Sequence, residues 1–287
     1  MSRPHPYSAR NDGAVVRSAG QPLAAALPGG RTLTEAVVQR PRPTAGAGRI
    51  HAIFYDVGGT LLDTVPTVEE FTARVSDALG IHIEAEQLKS AFPDLYGFIK
   101  VHESARGGVG TVWSSDHGIK ELWIDFYLHA FAKAGVDAPE HKLRKVAGDS
   151  YDWYTDPGLW RPFPDVVAAL QQGRELGLIQ GVISDWGTDL LGILNHLRLT
   201  DYLDFVVSSA VVGWAKPHPQ IFLHALARSG VNADSAVYVG DFYINDILGA
   251  RSVGIHPVLI DRDGTAPPMD CPVVRTLLEL PNTFEAM

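Results

Sequence analysis

Apolar positions along this 287-residue chain recur with two different periods, and the change of period marks its main regions. Short apolar runs, typical of buried strands, occur around residues 53–55, 178–183, 205–207, 236–239 and 256–260. Between the last four runs, apolar residues recur at helical spacing. Strands that alternate with helices predict a parallel sheet with right-handed crossovers. The predicted fold class is therefore α/β, with a Rossmann-like parallel sheet as its core.

A long stretch after the first run, roughly residues 65–160, has helical periodicity alone. Its apolar residues fall three or four positions apart, as in Val68, Phe71, Val75, Leu79, Ile119, Leu122, Trp123, Phe126, Ala130 and Phe131. The glycine-rich segment at 107–110 predicts a loop inside it. An insertion here should lie over the carboxyl edge of the sheet as a helical cap. The predicted division is an N-terminal extension (1–48), a core (49–63 and 162–287) and a cap (64–161).

The N-terminal extension differs in composition from the rest of the chain. Residues 1–49 hold seven arginines and two acidic residues, a formal charge of +5. The whole chain has a net charge of −9, so the other 238 residues carry −14. The segment is also rich in Pro, Gly, Ala and Ser, which predicts a tail without a packed core. An arginine-rich transit peptide and extra residues from an upstream start are the alternatives.

Charge and composition narrow the class of protein. A net charge of −9 gives no electrostatic support to binding nucleic acid or an anionic membrane surface. No apolar run approaches the roughly 20 residues that span a bilayer. The single cysteine, Cys271, excludes an internal disulfide and fits a reducing compartment. These features predict a soluble, cytoplasmic protein and leave its oligomeric state open.

Polar residues follow four of the predicted strands, at the point where each strand ends. They are Asp56, then Ser184 and Asp185, then Lys216, and finally Asp241 with Asp246. The carboxyl ends of parallel strands meet at one edge of the sheet, where ligands bind, so we expect these side chains to lie together. A hydroxyl, a lysine and several carboxylates suit a phosphate held by Ser184 and Lys216, with Mg²⁺ bridging it to the acids.

In order and spacing, these segments resemble the haloacid dehalogenase superfamily of aspartate-nucleophile hydrolases. The matching segments are Asp56–Leu61, Val182–Ser184, Lys216–Phe222 and Val239–Asp246. The resemblance covers roughly residues 50–262 and fits members that carry a helical cap after the first strand. It implies hydrolysis of a small phosphorylated metabolite.

The resemblance also implies a role for each residue that would meet the phosphate. Asp56 would attack phosphorus and form an aspartyl-phosphate. Ser184 would hydrogen-bond a phosphoryl oxygen, and Lys216 would neutralise charge on Asp56 and on the phosphate. Asp185, where the superfamily often has asparagine, is grouped with Ser184 and Lys216 as phosphate-binding, although it could equally serve as a helix cap.

Mg²⁺ is the cofactor that the resemblance implies. Asp241 would bind it together with Asp56 and the backbone carbonyl of Gly58. Asp246 would either be a ligand through water or orient the others.

Gly58 departs from the phosphatase pattern, which has an aspartate there to protonate the leaving alcohol and later activate water. Such acid–base help is worth about 10²–10⁴ in rate. Three functions therefore stay open: a phosphatase, a catalytically weak or inactive binding protein of the same fold, and a carbon–halogen hydrolase. Dehalogenases of the superfamily also lack this acid, but they work without Mg²⁺.

The segment Asp56–Thr60 also resembles the phosphate loop of sugar kinases with an actin-like fold. The second phosphate loop and the adenosine motif of that family are missing from this sequence. The hydrolase interpretation is favoured because it also accounts for Lys216 and Asp241.

Overall fold

A computed structural model describes residues 50–92, 97–99, 101–102 and 112–287 of the chain. The predicted extension (1–48) and the predicted loop at 107–110 lie outside these residues. The strands are β1 (Ala52–Tyr55), β2 (Leu62–Thr64), β3 (Trp160–Pro162), β4 (Ile179–Ser184), β5 (Phe205–Ser208), β6 (Ala236–Gly240), β7 (His256–Ile260) and β8 (Val273–Val274). The helices are α1 (Val68–Leu79), α2 (Ala85–Ala91), α3 (Asp116–Lys133), α4 (Glu140–Tyr154), α5 (Val166–Glu175), α6 (Leu190–His196), α7 (Ser209–Val212), α8 (Pro219–Ser229), α9 (Gly249–Ser252) and α10 (Leu280–Thr283), with a π-helical segment (Tyr243–Leu248) before α9.

The main sheet has six parallel strands in the order β5-β4-β1-β6-β7-β8. This confirms the predicted α/β fold with a Rossmann-like sheet. All four residues of β1 are buried, since the strand lies in the middle of the sheet and is covered on both faces. A strand of that kind is read in sequence as a continuous apolar run, which is why it was predictable.

Three strands were not predicted. β8 has two residues, and β2 and β3 have three each, so none is long enough to show a periodicity. β2 and β3 pair antiparallel as a small ribbon, with Asp63 opposite Arg161. This ribbon connects the main sheet to the helices α1–α4, and it lies at both predicted domain boundaries. After β6 the chain turns into the π-helical segment at Tyr243, which leads directly into α9.

Apolar side chains form one cluster on each face of the sheet. One cluster includes Tyr55, Leu170 and Leu190, and the other includes Phe54 and Phe222. A third cluster is built by α1, α2, α3 and α4, which we call the helical lobe. The lobe has its own core because α1 and α4 are amphipathic and pack on α3, which buries apolar residues around much of its circumference.

Capping interactions fix where the lobe's helices begin. Thr67 and Glu70 form a capping box before α1, and the Ser115 hydroxyl accepts a hydrogen bond from the Gly118 amide before α3. Asp116, at the start of α3, accepts hydrogen bonds from both the amide and the hydroxyl of Thr188, at 2.8 and 2.7 Å. The lobe is thus fastened to the loop that follows β4. None of the described helices has the length and apolar character needed to cross a membrane.

Candidate active site

Asp56 lies at the middle of the carboxyl edge of the sheet. It follows β1 directly, and β1 lies between β4 and β6. The Asp56 amide donates to the carbonyl of Val239 at 2.8 Å, which continues the strand pairing up to Asp56 itself. The polar residues that follow β4 and β6 are therefore its neighbours on either side.

Ser184 and Lys216 both contact one oxygen of Asp56. The Ser184 hydroxyl donates to Oδ1 at 2.8 Å, and the Lys216 Nζ lies 2.8 Å from the same atom. All three side chains are buried, with Lys216 only 4% exposed. The predicted nucleophile, hydroxyl and lysine therefore lie together, although they are separated by up to 160 positions in sequence.

The Lys216 ammonium has two further acceptors. Its Nζ donates to Asp246 Oδ1 at 2.6 Å and to the Tyr238 hydroxyl at 3.1 Å. Together with Asp56 this provides one acceptor for each of its three protons. Burial alone would lower the pKa of Lys216, but the carboxylates of Asp246 and Asp56 outweigh it and raise this pKa well above its usual value. Lys216 is therefore a fixed positive charge.

Asp246 is held from two sides. Its Oδ2 accepts a hydrogen bond from the Phe242 amide at 2.9 Å, while Oδ1 faces Lys216 and Tyr238. The strand end approaches this carboxylate so closely that a Cβ at Gly240 would lie 2.3 Å from its Cγ. A glycine is therefore required at the end of β6 for Asp246 to reach the site.

The structure brings Asp56, Asp241 and Asp246 close enough to share a cation. One carboxylate oxygen from each lies within 4.8 Å of the others. Burial raises the pKa of Asp241 well above its usual value, and the charges of Asp56 and Asp246 raise it further. A hard divalent cation would offset this repulsion, and carboxylate oxygens are the ligands it prefers. The donor set therefore fits Mg²⁺.

Asp185 contacts other parts of the protein, away from the Asp56 carboxylate. Its Oδ1 accepts a hydrogen bond from the Lys216 amide at 2.8 Å, and its Oδ2 lies 3.5 Å from the side-chain nitrogen of Asn245. It joins three segments of the edge, namely the end of β4, the Lys216 loop and the π-helical segment. Burial raises the pKa of Asp185 to about 7.

The two glycines after Asp56 have different surroundings. Gly59 has a φ of 73°, and a Cβ there would lie 2.3 Å from a carboxylate oxygen of Asp241. Gly58 is outside the left-handed region, and a Cβ there would meet only the Trp186 ring, at 3.8 Å. Backbone conformation therefore explains the glycine at 59, but it does not explain the glycine at 58.

A small cleft lies between the helical lobe and the sheet edge, and Trp186, the neighbour of Gly58, is one of its walls. Its walls are mainly aromatic, and the lining includes Trp113, Trp123, Tyr151, Tyr154, Asp185 and Trp186. The rings of Tyr154 and Trp186 stack 5.6 Å apart, so the lobe meets the core next to Gly58. Trp186 is held by a hydrogen bond from its Nε1 to Asp189 at 3.2 Å.

Two residues that support the site were missed in the sequence. Tyr238 is in the middle of β6, where an aromatic residue is expected in any buried strand. The sequence could have indicated its role only because a buried tyrosine hydroxyl needs a polar partner. Arg262 follows β7 and donates hydrogen bonds to the carbonyls of Gly59 and Thr60. Nothing in the local sequence around Arg262 indicates contacts more than 200 positions away.

Similarity to known proteins agrees with this geometry. The sequence model of the haloacid dehalogenase-like hydrolases matches residues 50–254. The chain belongs to this family. The resemblance on which the sequence interpretation rested is thereby confirmed.

Two relatives and one solved structure illustrate the range of the family. The haloacid dehalogenase-like hydrolase domain-containing protein 3 of Danio rerio is 34% identical over 237 residues, which cover 80% of this chain and 94% of the relative. A glyceraldehyde 3-phosphate phosphatase of Methanopyrus kandleri is 37% identical over 219 residues, covering 74% and 84%. The structure of a 2-haloacid dehalogenase from Pseudomonas syringae superposes with a TM-score of 0.55 at 26% identity, covering 83% of this chain and 99% of that one.

Proposed function

We propose that this hydrolase is a Mg²⁺-dependent phosphatase that acts on small phosphorylated metabolites through an aspartyl-phosphate. The observation that carries the proposal is the arrangement around Asp56, where Ser184 and Lys216 contact one oxygen and the carboxylates of Asp241 and Asp246 lie within 4.8 Å. The similarity to a glyceraldehyde 3-phosphate phosphatase supports phosphate esters as the substrate class.

In the first step, a carboxylate oxygen of Asp56 attacks phosphorus, and the bond between phosphorus and the ester oxygen breaks. Lys216 would balance negative charge on Asp56 and on the phosphoryl group, while Ser184 would donate a hydrogen bond that orients the phosphoryl group. In the second step, water attacks the aspartyl-phosphate, which releases inorganic phosphate and restores the Asp56 carboxylate. The proton for the leaving alcohol comes from solvent, because position 58 offers no acid.

Asp56, Asp241 and the Gly58 carbonyl would hold Mg²⁺, with Asp246 orienting the set or bound through water. Bound there, the cation would neutralise charge on the phosphate and on the clustered carboxylates. Gly59 supports this assignment, because any side chain at that position would push Asp241 away.

The helical lobe would act as the cap, with the domain limits expected from the sequence. The small cleft between lobe and sheet edge supports this, because it is lined by aromatic residues of both parts, including Trp186, whose ring lies next to Gly58. Packed there, the lobe would limit the access of bulk water to Asp56.

A metal-dependence assay tests the proposal. Hydrolysis of p-nitrophenyl phosphate and of a panel of phosphorylated metabolites is measured with MgCl₂ and with EDTA, for wild type and Asp241→Asn. The matched control is Asp234→Asn, because Asp234 lies before β6, at the opposite edge of the sheet. We expect activity that needs Mg²⁺ and is lost in Asp241→Asn alone. Full activity in EDTA would contradict the metal-dependent mechanism.

Carbon–halogen hydrolysis is the second candidate, and the similarity to a 2-haloacid dehalogenase favours it, as does the absence of an acid at Gly58. In that reaction Asp56 attacks the carbon that carries the halogen, and halide leaves without needing a proton. Halide release from 2-chloropropionate in EDTA would establish this function. A protein that turns over neither substrate class would instead be the binding protein that Gly58 suggests.

A further inference from the structure

Arg262 makes an unusual set of contacts at the base of the connection between the sheet and the helical lobe. It follows β7, and its side chain is largely buried, with 16% of it exposed. Its Nε donates to the Gly59 carbonyl at 3.1 Å, and an Nη atom donates to the carbonyl of Thr60. A guanidinium group can serve two carbonyls at once because its donors form a rigid planar fork.

The other side of the guanidinium contacts the returning chain. Its second Nη atom lies 3.0 Å from a carboxylate oxygen of Asp165, and the group lies over the ring of Phe163, 3.8 Å from its centroid. The other oxygen of Asp165 accepts a hydrogen bond from the Leu277 amide at 2.7 Å. Arg262 therefore joins the chain before β2 to the chain after β3, and the Leu277 amide holds Asp165 in place.

The two carbonyls belong to the loop that carries the reacting groups. This loop runs from Asp56 to Leu62, and the amides of Thr60, Leu61 and Leu62 all donate to the single carbonyl of Val57. A tight turn of this kind leaves its other carbonyls pointing away from the loop, where they need donors from outside. Arg262 supplies those donors for Gly59 and Thr60.

The loop also meets the proposed metal ligands. Gly59 packs against the carboxylate of Asp241, at a distance that admits no Cβ. Burial lowers the pKa of Arg262, and the carboxylates of Asp165 and Asp241 counteract that effect, so the guanidinium and Asp241 are near enough to interact. A shift of the Gly59 peptide would therefore move Asp241 as well as Asp56.

We propose that Arg262 is a positioning residue, which fixes the Asp56–Leu62 loop and with it the relative placement of Asp56 and Asp241. It touches neither the reacting atoms nor the proposed metal ligands directly. Its role in turnover rests on the proposed function, whereas its effect on the loop exists in the protein without substrate or metal.

Hydrogen exchange in the metal-free, full-length protein tests the effect on the loop. Arg262→Ala removes the fork, and Arg262→Lys keeps the charge but offers a single point donor. The matched control is Arg251→Ala, since Arg251 forms an ion pair with Asp270 at 2.9 Å on the surface, away from the loop. We expect amide exchange over residues 59–62 to accelerate about tenfold in both Arg262 variants and to stay unchanged in the control. If the folded Arg262→Lys protein exchanges these amides at the wild-type rate, the proposal is overturned. Arg262→Lys is the deciding variant if Arg262→Ala does not fold.

Mg²⁺ titration gives the second readout. The half-saturating Mg²⁺ concentration, measured by calorimetry and by p-nitrophenyl phosphate turnover, should rise about tenfold in Arg262→Ala. Guanidinium at non-denaturing millimolar concentrations should lower it again, because the free ion can occupy the vacated position. A residue that only stabilises the fold would lower the melting temperature and leave Mg²⁺ affinity unchanged in the folded variant, which would overturn the proposal. If wild type neither binds Mg²⁺ nor hydrolyses phosphate esters, the proposed function fails, and the exchange result alone then supports or overturns the role of Arg262.

Discussion

The carboxyl edge of the sheet and the helical lobe are built in different ways. At the edge, buried charged groups determine one another's positions. Lys216 by itself contacts three of them or their partners, namely Asp56, Asp246 and Tyr238, and both of its ion pairs are shorter than 3 Å. In the lobe, packed aromatic rings such as Phe71, Tyr127 and Trp153 hold the helices together. Ion pairs of the lobe such as Lys120 with Asp152 lie on the surface.

This difference indicates which properties each region can vary. A charged group buried at the edge loses its partner if any neighbour changes, so substitutions there should affect turnover sharply. An aromatic cluster tolerates exchange of one ring for another with small losses. We therefore expect the chemistry to depend on the edge and substrate preference to depend on the lobe.

The largest expected effect belongs to Asp56→Asn. The amide can still accept hydrogen bonds from Ser184 and Lys216, so the fold should survive, but it cannot form an acyl-phosphate. We expect kcat/KM for p-nitrophenyl phosphate to fall at least about 10³-fold, with little change in melting temperature. Asp63→Asn is the control, since Asp63 pairs with Arg161 on the exposed ribbon. Normal turnover in Asp56→Asn would place the chemistry on another residue.

Gly58→Asp should have the next largest effect and should increase activity. The structure leaves room for the substitution, because φ is not positive there and only the Trp186 ring is near. An acid at this position can protonate the leaving alcohol, so turnover of alkyl phosphates should rise by up to about 10², with a smaller rise for p-nitrophenyl phosphate, whose leaving group needs little protonation. The measurement is kcat/KM for both esters.

Gly59→Ala is the matched contrast to Gly58→Asp. It places a Cβ at a positive φ and against Asp241, so we expect loss of activity. Rapid turnover of alkyl phosphates by the wild type would show that another group already supplies the proton, and the account of Gly58 would then be wrong.

The strands and the motif residues were predictable because each leaves a local mark. β1, β4, β5, β6 and β7 are buried apolar runs; Ser184 ends one of them, and Asp56, Lys216 and Asp241 each follow another in a parallel sheet. Topology then places them at one edge without any knowledge of the intervening chain. The fold class and the family were accessible for the same reason.

The supporting contacts were not predictable because they depend on three-dimensional register. Arg262 reaches Gly59 across 203 positions, and Tyr238 contacts Lys216 only because its side chain lies on the face of the sheet that α8 covers. The ribbon of β2 and β3 is too short to show a pattern. The contact of the Asp185 carboxylate with the Lys216 amide likewise depends on how two loops approach, and the role of Asp185 in binding phosphate stays a prediction.

Tyr154→Phe tests the expected role of the lobe and should have a moderate effect. Tyr154 lines the cleft and stacks on Trp186, so removing its hydroxyl keeps the packing and takes away one polar group of a cleft residue. We expect KM for metabolite esters to change by a few-fold up to about tenfold, with kcat nearly constant. Tyr127→Phe is the control, because Tyr127 packs inside the lobe core. Equal effects of both variants would contradict a specific role for the cleft.

Asp185→Asn should have the smallest effect on turnover. Its effect on stability compares a carboxyl group at the sheet edge with an exposed one in the lobe. Burial raises the pKa of Asp185 to about 7, so between pH 4 and 7 the folded protein keeps a proton that the unfolded chain has released. The free energy of unfolding therefore falls as the pH rises through this window.

Asparagine has no such proton, and its carbonyl oxygen can still accept from the Lys216 amide. Denaturation at several pH values should show the free energy of unfolding of Asp185→Asn gaining on that of wild type by up to about 4 kcal/mol across the window. Asp152→Asn removes a charge from the exposed pair with Lys120, so its free energy of unfolding should depend on pH in the same way as that of wild type. Parallel curves for Asp185→Asn would mean that Asp185 is already ionised in the folded protein, and that the edge tolerates its charge as easily as the lobe surface does.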